Sequence, residues 1–286
     1  MGTILNILVD GVAYGMILFM ISVGLSVTMG LMRVINLAHG GFAMLGGAFV
    51  HYFGAVLGLP FVAAAAVAIA LVVLLSVPME RVLYRSIYRM GELQQVLATI
   101  GITFLMIASV NLWLGSSLLP IRLPDSWTGI VDLGFRSLPM HRLIVICVGL
   151  AIMAALYLLV EGTRFGIRLR AAVDNRATAS ALGIDTGRVF ALTFGLGAGL
   201  AALGGILGAE LLPIDAYYPL RYMVLFLIVV AVGGMGSIAG SFLAALALGI
   251  LQQAVLYLVP DFGTIFFFCC VIALLALRPQ GLSGRV

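Results

Sequence analysis

Long apolar runs, separated by short polar segments, set the strongest constraint on how this chain can fold. A helix needs about 20 apolar residues to cross about 30 Å of hydrocarbon, and most of the runs are near that length. They cover 4–30, 40–57, 60–78, 96–115, 142–160, 188–209, 222–233, 237–259 and 263–277. The second and seventh runs are short and rich in glycine, which predicts broken or incompletely spanning helices at both places.

Composition leads to the same class of protein. Of the 286 residues, 63% are hydrophobic and 9% are charged, whereas a soluble domain carries about 25% charged residues. A soluble globule could not cover so much apolar surface. We therefore expect an all-α polytopic membrane protein of about eight or nine transmembrane helices, organised as a single domain over residues 1–286.

The arginines predict the orientation in the membrane. All fifteen basic residues are Arg, and with nine crossings three groups of them fall on one side, which the positive-inside rule makes cytoplasmic. We therefore expect the N-terminus outside and the C-terminus in the cytoplasm, although Arg122, Arg136 and Arg142 in the outer segment weaken the pattern. The groups are Arg81, Arg85 and Arg89; Arg164, Arg168, Arg170, Arg176 and Arg188; and Arg278 and Arg285.

Two polar segments on the predicted cytoplasmic side have distinct patterns. In residues 79–95, three arginines recur every four residues beside tyrosines, which suits either a short helix in the headgroup layer or a solvated connector. In the loop 162–187, Leu169–Leu182 contains no Gly or Pro, and Gly183 follows as a helix stop. Asp185 and Thr186 then offer N-cap oxygens. This loop suits a docking helix for a cytoplasmic partner, or again a solvated connector.

The centres of the apolar runs hold essentially no acidic or basic residue, which argues against a proton relay and against an enzyme built on paired carboxylates. His39, His51 and His141 show no metal-ligand spacing. We expect no nucleic acid partner, because no basic patch is interleaved with aromatic residues outside the membrane-flanking loops. No GxxxxGK phosphate loop exists, so an ATP-binding partner is the economical source of energy.

The glycines fall into two classes. Four pairs spaced four residues apart predict close helix packing: Gly11 and Gly15, Gly195 and Gly199, Gly204 and Gly208, and Gly236 and Gly240. Two clusters, NLAHGGFAMLGG at 36–47 and GGMGS at 233–237, interrupt apolar segments and could offer backbone dipoles to a zwitterion. A tight turn explains GGMGS equally well. The candidate pathway residues are Asn36, His39, Gly40, Gly41, Gly233, Gly234, Gly236 and Ser237.

These segments resemble the membrane permease subunits of branched-chain amino acid ABC importers, specifically the shorter of the two paired permeases. The resemblance runs along nearly the whole chain and rests on INLAHGGFAMLGG, AAVDNRATASALGIDTGRV, VVAVGGMGSIAGSFLAALALG and the closing LRPQGL. It implies a heterotetramer of this chain, a second homologous permease and two ATP-binding subunits, supplied by a periplasmic binding protein. It also implies an inner-membrane location and no chemistry on the solute.

In such permeases the cytoplasmic loop carries the coupling helix that docks on the ATPase, which here corresponds to about Arg170–Gly183. The resemblance implies that this chain binds no cofactor, since the partner ATPases use ATP and Mg. The loop departs from the family's acidic-Ala-Ala pattern, because Arg170 stands before Ala171 and Ala172. The expected coupling residues are Arg170, Ala171, Ala172, Asp174, Asn175, Arg176, Thr178, Leu182 and Gly183.

The solute is the least constrained feature. Related systems carry branched-chain or other neutral amino acids, urea, short amides or aromatic compounds, and the empty run centres only weakly favour a neutral or zwitterionic solute. Two rival classes stay open at this point. One is a stand-alone secondary carrier or channel, and the other is an intramembrane enzyme using His39 or His141.

The predicted orientation can be tested by thiol labelling. In a variant whose three native cysteines are replaced by alanine, we expect a membrane-impermeant maleimide to label Ser117→Cys in intact cells. Ser180→Cys should react only after the membrane is permeabilised, because the two positions lie on opposite sides. Labelling of Ser180→Cys in intact cells, with Ser117→Cys protected, would invert the topology.

Overall fold

The computed structural model describes residues 2–32, 36–88, 90–132, 137–277 and 281, and these are mostly helical. The helices are α1 (Gly2–Met32), α2 (His39–His51), α3 (Phe61–Met79), α4 (Arg85–Ile87), α5 (Glu92–Leu114), α6 (Met140–Gly162), α7 (Arg164–Asp174), α8 (Arg176–Ala181), α9 (Thr186–Gly208), α10 (Tyr218–Gly233), α11 (Ile238–Leu258) and α12 (Gly263–Leu277). A π-helical turn, Tyr52–Val56, extends α2, and another, Glu80–Tyr84, joins α3 to α4. A 3-10 turn, Pro260–Phe262, precedes α12.

Seven helical segments in the described part of the chain are long and apolar enough to cross a membrane, and α10 is a shorter apolar helix of 16 residues. Together with α2, these segments correspond one to one with the nine apolar runs of the sequence. The predicted polytopic helical fold is confirmed. The helices formed by the second and seventh apolar runs are both short, as predicted. Helix α2 has 13 residues before its π-helical turn, and α10 has 16.

The segment around Arg81 and Arg85 differs from the prediction of a separate short helix. Helix α3 instead runs through the π-helical turn into α4 and ends at Ile87. Pro78 lies inside the helix and has no backbone N–H to donate, and the wider π turn follows it directly, where the hydrogen-bond pattern is disturbed. Among the orientation arginines, Arg89, Arg136, Arg278 and Arg285 lie outside the described residues.

The predicted outer segment, residues 116–141, contains little regular structure in the part that is described. Its two short strands, β1 (Ile130–Asp132) and β2 (Ser137–Pro139), pair antiparallel with Ile130 opposite Pro139. Earlier in the segment, the carbonyl oxygen of Pro120 accepts from Nδ1 of His51, at the end of α2, at 2.8 Å. The segment therefore folds back over the end of α2 and does not form another spanning helix.

Helix α1 lies at the centre of the bundle, and glycines bring its neighbours to backbone contact. A Cβ at Gly11 would lie 2.6 Å from Ile250 Cα in α11, and one at Gly24 would lie 2.6 Å from Gly197 O in α9. Three of the four predicted glycine pairs pack against a neighbouring helix. Gly11 and Gly15 meet the backbone of α11, Gly204 and Gly208 meet α1 mainly through its isoleucine side chains, and Gly195 and Gly199 meet valine side chains of α3. The prediction of a fourth pair on one helix face was wrong, because Gly236 lies in the turn before α11 and Gly240 inside that helix.

The α1–α9 contact predicts the effect of adding one methyl group. Gly24→Ala should lower the free energy of unfolding by about 1–3 kcal/mol, since the obstructing atoms belong to the Gly197 backbone and cannot rotate away. Gly101→Ala is the matched control, because nothing lies within 4 Å of a Cβ at that helical position. Thermal unfolding in mild detergent should separate the two variants. Equal melting temperatures would contradict the close contact.

Candidate functional site

The first candidate pathway cluster is a buried, non-helical segment leading into α2. Asn36 and His39 are each 2% exposed. The Tyr84 hydroxyl donates to Asn36 Oδ1 at 2.9 Å, and the Ala38 backbone N–H donates to the same oxygen at 3.1 Å. Asn36 is therefore the acceptor that ties the start of α2 to the end of α3.

This segment lies deep in the bundle. His39 Nε2 is 3.1 Å from the carbonyl oxygen of Ile21, eleven residues before the end of α1 at Met32, which is about 16 Å along a helix axis. The Leu37 N–H donates to Thr99 Oγ1 at 3.3 Å. Non-helical backbone at membrane depth is tolerated where protein surrounds it. Here Thr99 of α5 and the Asn36 side chain accept from the backbone, and Tyr84 holds that side chain in place.

Gly40 and Gly41 open the first turn of α2 to two neighbouring helices. A Cβ at Gly40 would lie 3.4 Å from the Phe226 ring and from Pro219 Cα, both in α10. A Cβ at Gly41 would lie 2.6 Å from the Met106 sulfur in α5. The glycine pair therefore lets α10 and α5 approach the start of α2.

The second cluster, Gly233–Ser237, is a tight connection between α10 and α11. Gly234 and Gly236 have φ of +89° and +82°, a region that favours glycine. The Gly236 N–H donates to the Ser26 carbonyl at 3.1 Å, which fixes the turn to α1. The Ser237 hydroxyl accepts from Gly240 N at 2.9 Å and so caps α11.

The two clusters share α1 but meet it at different depths. His39 bonds Ile21 and the 233–237 turn bonds Ser26, about 7.5 Å apart along the helix. Both clusters make close packing contacts. Their place on a translocation pathway stays a prediction.

The coupling loop, residues Thr163–Asp185, has three side-chain N-caps. Thr163 Oγ1 accepts from Gly166 N at 3.3 Å, Asn175 Oδ1 from Thr178 N at 3.0 Å, and Asp185 Oδ1 from Arg188 N at 3.0 Å. The sequence predicts one helix over Leu169–Leu182, but the chain instead forms α7 and α8 with a break at Asn175. Asn favours such a break, because its side chain can hydrogen-bond the next turn's backbone.

Gly183 ends the coupling loop's second helix as predicted. Its φ is +84°, its N–H donates to Ser180 O at 3.0 Å, and the Ile184 N–H donates to Ala179 O at 3.0 Å. Asp185 then caps α9, also as predicted, whereas Thr186 is already the first helical residue. The loop is thus a set of capped turns with a defined shape.

A small apolar core holds the coupling loop against the first turns of α9. Leu169, Ala172 and Ala179 are buried together with Val189 and Phe190. Ala172, one of the expected coupling residues, is only 1% exposed and packs inward. Its role in docking stays a prediction, and the structure places it in the packing beneath the exposed face of the loop.

The exposed face of the coupling loop carries the remaining candidates. Leu182 is 78% exposed, although it is a large aliphatic residue beside a rigid glycine turn. The exposed polar candidates lie in the same loop: Arg170, Asp174, Asn175, Arg176 and Thr178. Arg170 is engaged by Glu161 at 3.0 Å and by the Val160 carbonyl at 2.6 Å. Ala171 is partly buried against the loop's core.

Sequence reasoning missed two charged clusters near the other end of the bundle. Asp10 of α1, 3% exposed, pairs with Arg142 at the start of α6 and accepts from the Tyr257 hydroxyl at 2.9 Å. His141 Nδ1 lies 2.9 Å from Glu210 Oε2 beside a cavity of about 240 Å³. Acids near the ends of the apolar runs were the only sequence signal, and their partners lie more than sixty residues away.

Comparison with known proteins gives a consistent result. A family model described as branched-chain amino acid transport system / permease component matches residues 7–275. The high-affinity branched-chain amino acid transport system permease protein LivH of Escherichia coli is 30% identical over 291 residues, covering 96% of this chain and 94% of the relative. The corresponding BraD protein of Pseudomonas aeruginosa is 27% identical, with 97% and 95% covered. No solved structure matches.

The buried contact of Asn36 predicts a stability difference between two tyrosine variants. Tyr84→Phe should lower the free energy of unfolding by about 1–2 kcal/mol, because it removes a donor to a buried amide oxygen. Tyr157→Phe is the control, since that side chain is 59% exposed. The measurement is thermal unfolding in detergent. If both variants melt together, the Tyr84–Asn36 bond does not stabilise the start of α2.

Proposed function

We propose, from the premise that this chain belongs to the permease components of branched-chain amino acid transport systems, that it moves branched-chain amino acids across the membrane. It is a transporter subunit, the membrane permease of an ABC importer. The solute crosses unchanged, driven by ATP hydrolysis on partner subunits. The chain itself acts as one permease domain over residues 1–286, and it binds neither ATP nor Mg.

The observation that carries this proposal is the rigid surface of α8 with Leu182. A partner that moves a membrane helix needs a rigid contact surface through which to move it. The coupling loop meets this need through three N-caps, the Gly183 turn and a core shared with α9. An aliphatic side chain held out at 78% exposure beside that turn suits insertion into a cleft of an ATPase.

The proposed assembly contains a second homologous permease, two ATP-binding subunits and a periplasmic binding protein. Helix α5 offers a surface on which a second permease could pack, because a stripe of apolar side chains along it stays exposed outside the bundle. Its members recur at helical spacing: Leu93, Leu97, Leu105 and Leu112. That stripe suits either a homologous partner or the lipid bilayer that surrounds the complex.

The location we propose is the bacterial inner membrane, with the N-terminus outside and the C-terminus in the cytoplasm. Two arginines that follow α3, Arg176 of the coupling loop and Arg188 of α9 line one shared cleft, so they lie on one side of the bundle. The positive-inside rule favours the cytoplasm for that side.

The substrate class follows from the relatives' names together with the chain's own chemistry. Those relatives are named as high-affinity branched-chain amino acid permeases. Urea, short amides and aromatic compounds are the competing solutes of related importers. A stand-alone carrier is the remaining alternative, and it would need no ATPase.

Transport by the reconstituted complex tests the proposal. With its native partners in liposomes, the chain should take up radiolabelled leucine only when ATP and the binding protein are present. Leu182→Glu should weaken ATPase binding at least tenfold, because about 1.5–3 kcal/mol of apolar burial would be lost. Uptake and ATPase co-purification are measured together.

Ile167→Glu is the matched control, as it also places a charge at an exposed aliphatic position, but on α7. It should retain the ATPase. Uptake by the chain alone without nucleotide would support the carrier, and ATP-driven uptake of urea but not leucine would reassign the substrate. An equal loss of ATPase binding in Leu182→Glu and Ile167→Glu would show that Leu182 is not a specific docking contact.

A further inference from the structure

A polar cleft of about 710 Å³ separates the end of α3–α4 from the turn between α8 and α9. It is open on one side and lies at the end of a candidate membrane span that runs from Phe61 to Ile87. Its charged lining comes from two distant parts of the sequence: Glu80, Arg81, Arg85, Arg176, Asp185 and Arg188.

The cleft has an excess of positive charge. Four arginines face two carboxylates, and Glu80 is only 4% exposed. Asp185 is occupied as the cap of α9 and by Arg188 at 2.8 Å. Within the part of the chain that the structure describes, no ion pair engages Arg81 or Arg85. Both arginines attract the Glu80 carboxylate electrostatically, but neither forms an ion pair with it, and the four arginines outnumber the two carboxylates of the cleft. The cleft can therefore accept an external anion.

The opposite wall of the cleft is held in place. The guanidinium of Arg176 lies 4.9 Å from the centroid of the Phe190 ring, a cation–π contact that orients the group. Phe190 belongs to the buried core of the coupling loop. An anion in the cleft would thus contact α3–α4 on one side and the coupling loop on the other.

The exposed aliphatic surface beside the cleft indicates which class of anion binds there. Large aliphatic side chains on the same helix stay exposed on approach to Arg81 and Arg85: Leu74, Leu75, Val82 and Leu83. Such a surface suits acyl chains, and clusters of arginine at the end of a span attract anionic headgroups. We propose that the cleft binds the phosphate headgroup of an anionic phospholipid, which fastens the coupling loop to the end of α3–α4.

Lipid retention by the purified complex tests this proposal. Native mass spectrometry would count cardiolipin bound to the full chain with its partners, titrated from detergent micelles. Arg81→Gln and Arg85→Gln should each weaken binding about fivefold, and the double variant about twenty-five-fold, given the usual contribution of one arginine near an anionic headgroup. Arg164→Gln, an exposed arginine of α7 outside the cleft, should bind as the parent does.

Three results would overturn the proposal. Equal weakening by Arg164→Gln would show a diffuse charge effect without a site. Displacement of cardiolipin by inorganic phosphate at matched charge would point to a soluble anion as the occupant. Loss of the ATPase in Arg81→Gln or Arg85→Gln would make these residues docking contacts. Lipid counting does not depend on the transported solute, so a failed uptake assay and a failed lipid assay remain distinguishable.

Discussion

The close approach of α1 to its neighbours is the contact on which the rest of the bundle depends. Lipid gives membrane helices no hydrophobic reason to associate, so packing and hydrogen bonds must hold them together. Gly11, Gly24 and Gly197 let α11 and α9 reach the α1 backbone. Because α1 is enclosed in this way, its carbonyls at Ile21 and Ser26 can serve as fixed acceptors for the start of α2 and for the α10–α11 turn.

The start of α2 shows how irregular backbone survives in such an interior. The side-chain oxygen of Asn36 accepts from the Ala38 N–H, as a backbone carbonyl would in a helix, and also from the Tyr84 hydroxyl. An unsatisfied buried polar group is costly where no water is present. The bonds therefore make α2 depend on α3–α4 and α5. If α3–α4 moved relative to α1, the Tyr84–Asn36 bond would have to break or move with it. This bond links the wall of the polar cleft to the interior of the bundle.

Much of this architecture could be predicted from the sequence. Hydropathy located all nine helical segments, and glycine spacing identified the face of α1 that packs closely, because both signals are local. The partner helix, α11, came only from the structure. The helix break at Asn175 and the inward direction of Ala172 could not be predicted, since both depend on how the coupling loop packs on Phe190. The Asp10–Arg142 pair was missed for the same reason, because its partners are 132 residues apart.

The coupling loop packs on α9 and also lines one wall of the polar cleft. The loop's core is built on α9, and α9 packs along α1, α2 and α3. A force applied at Leu182 would therefore reach the first turn of α9 through Gly183 and Asp185. Packed interiors transmit such displacement with little compression. An anionic headgroup bridging Arg85 and Arg176 would add α3–α4 to the moving body. Tyr84, on that same segment, would then carry the displacement to Asn36 and the buried start of α2.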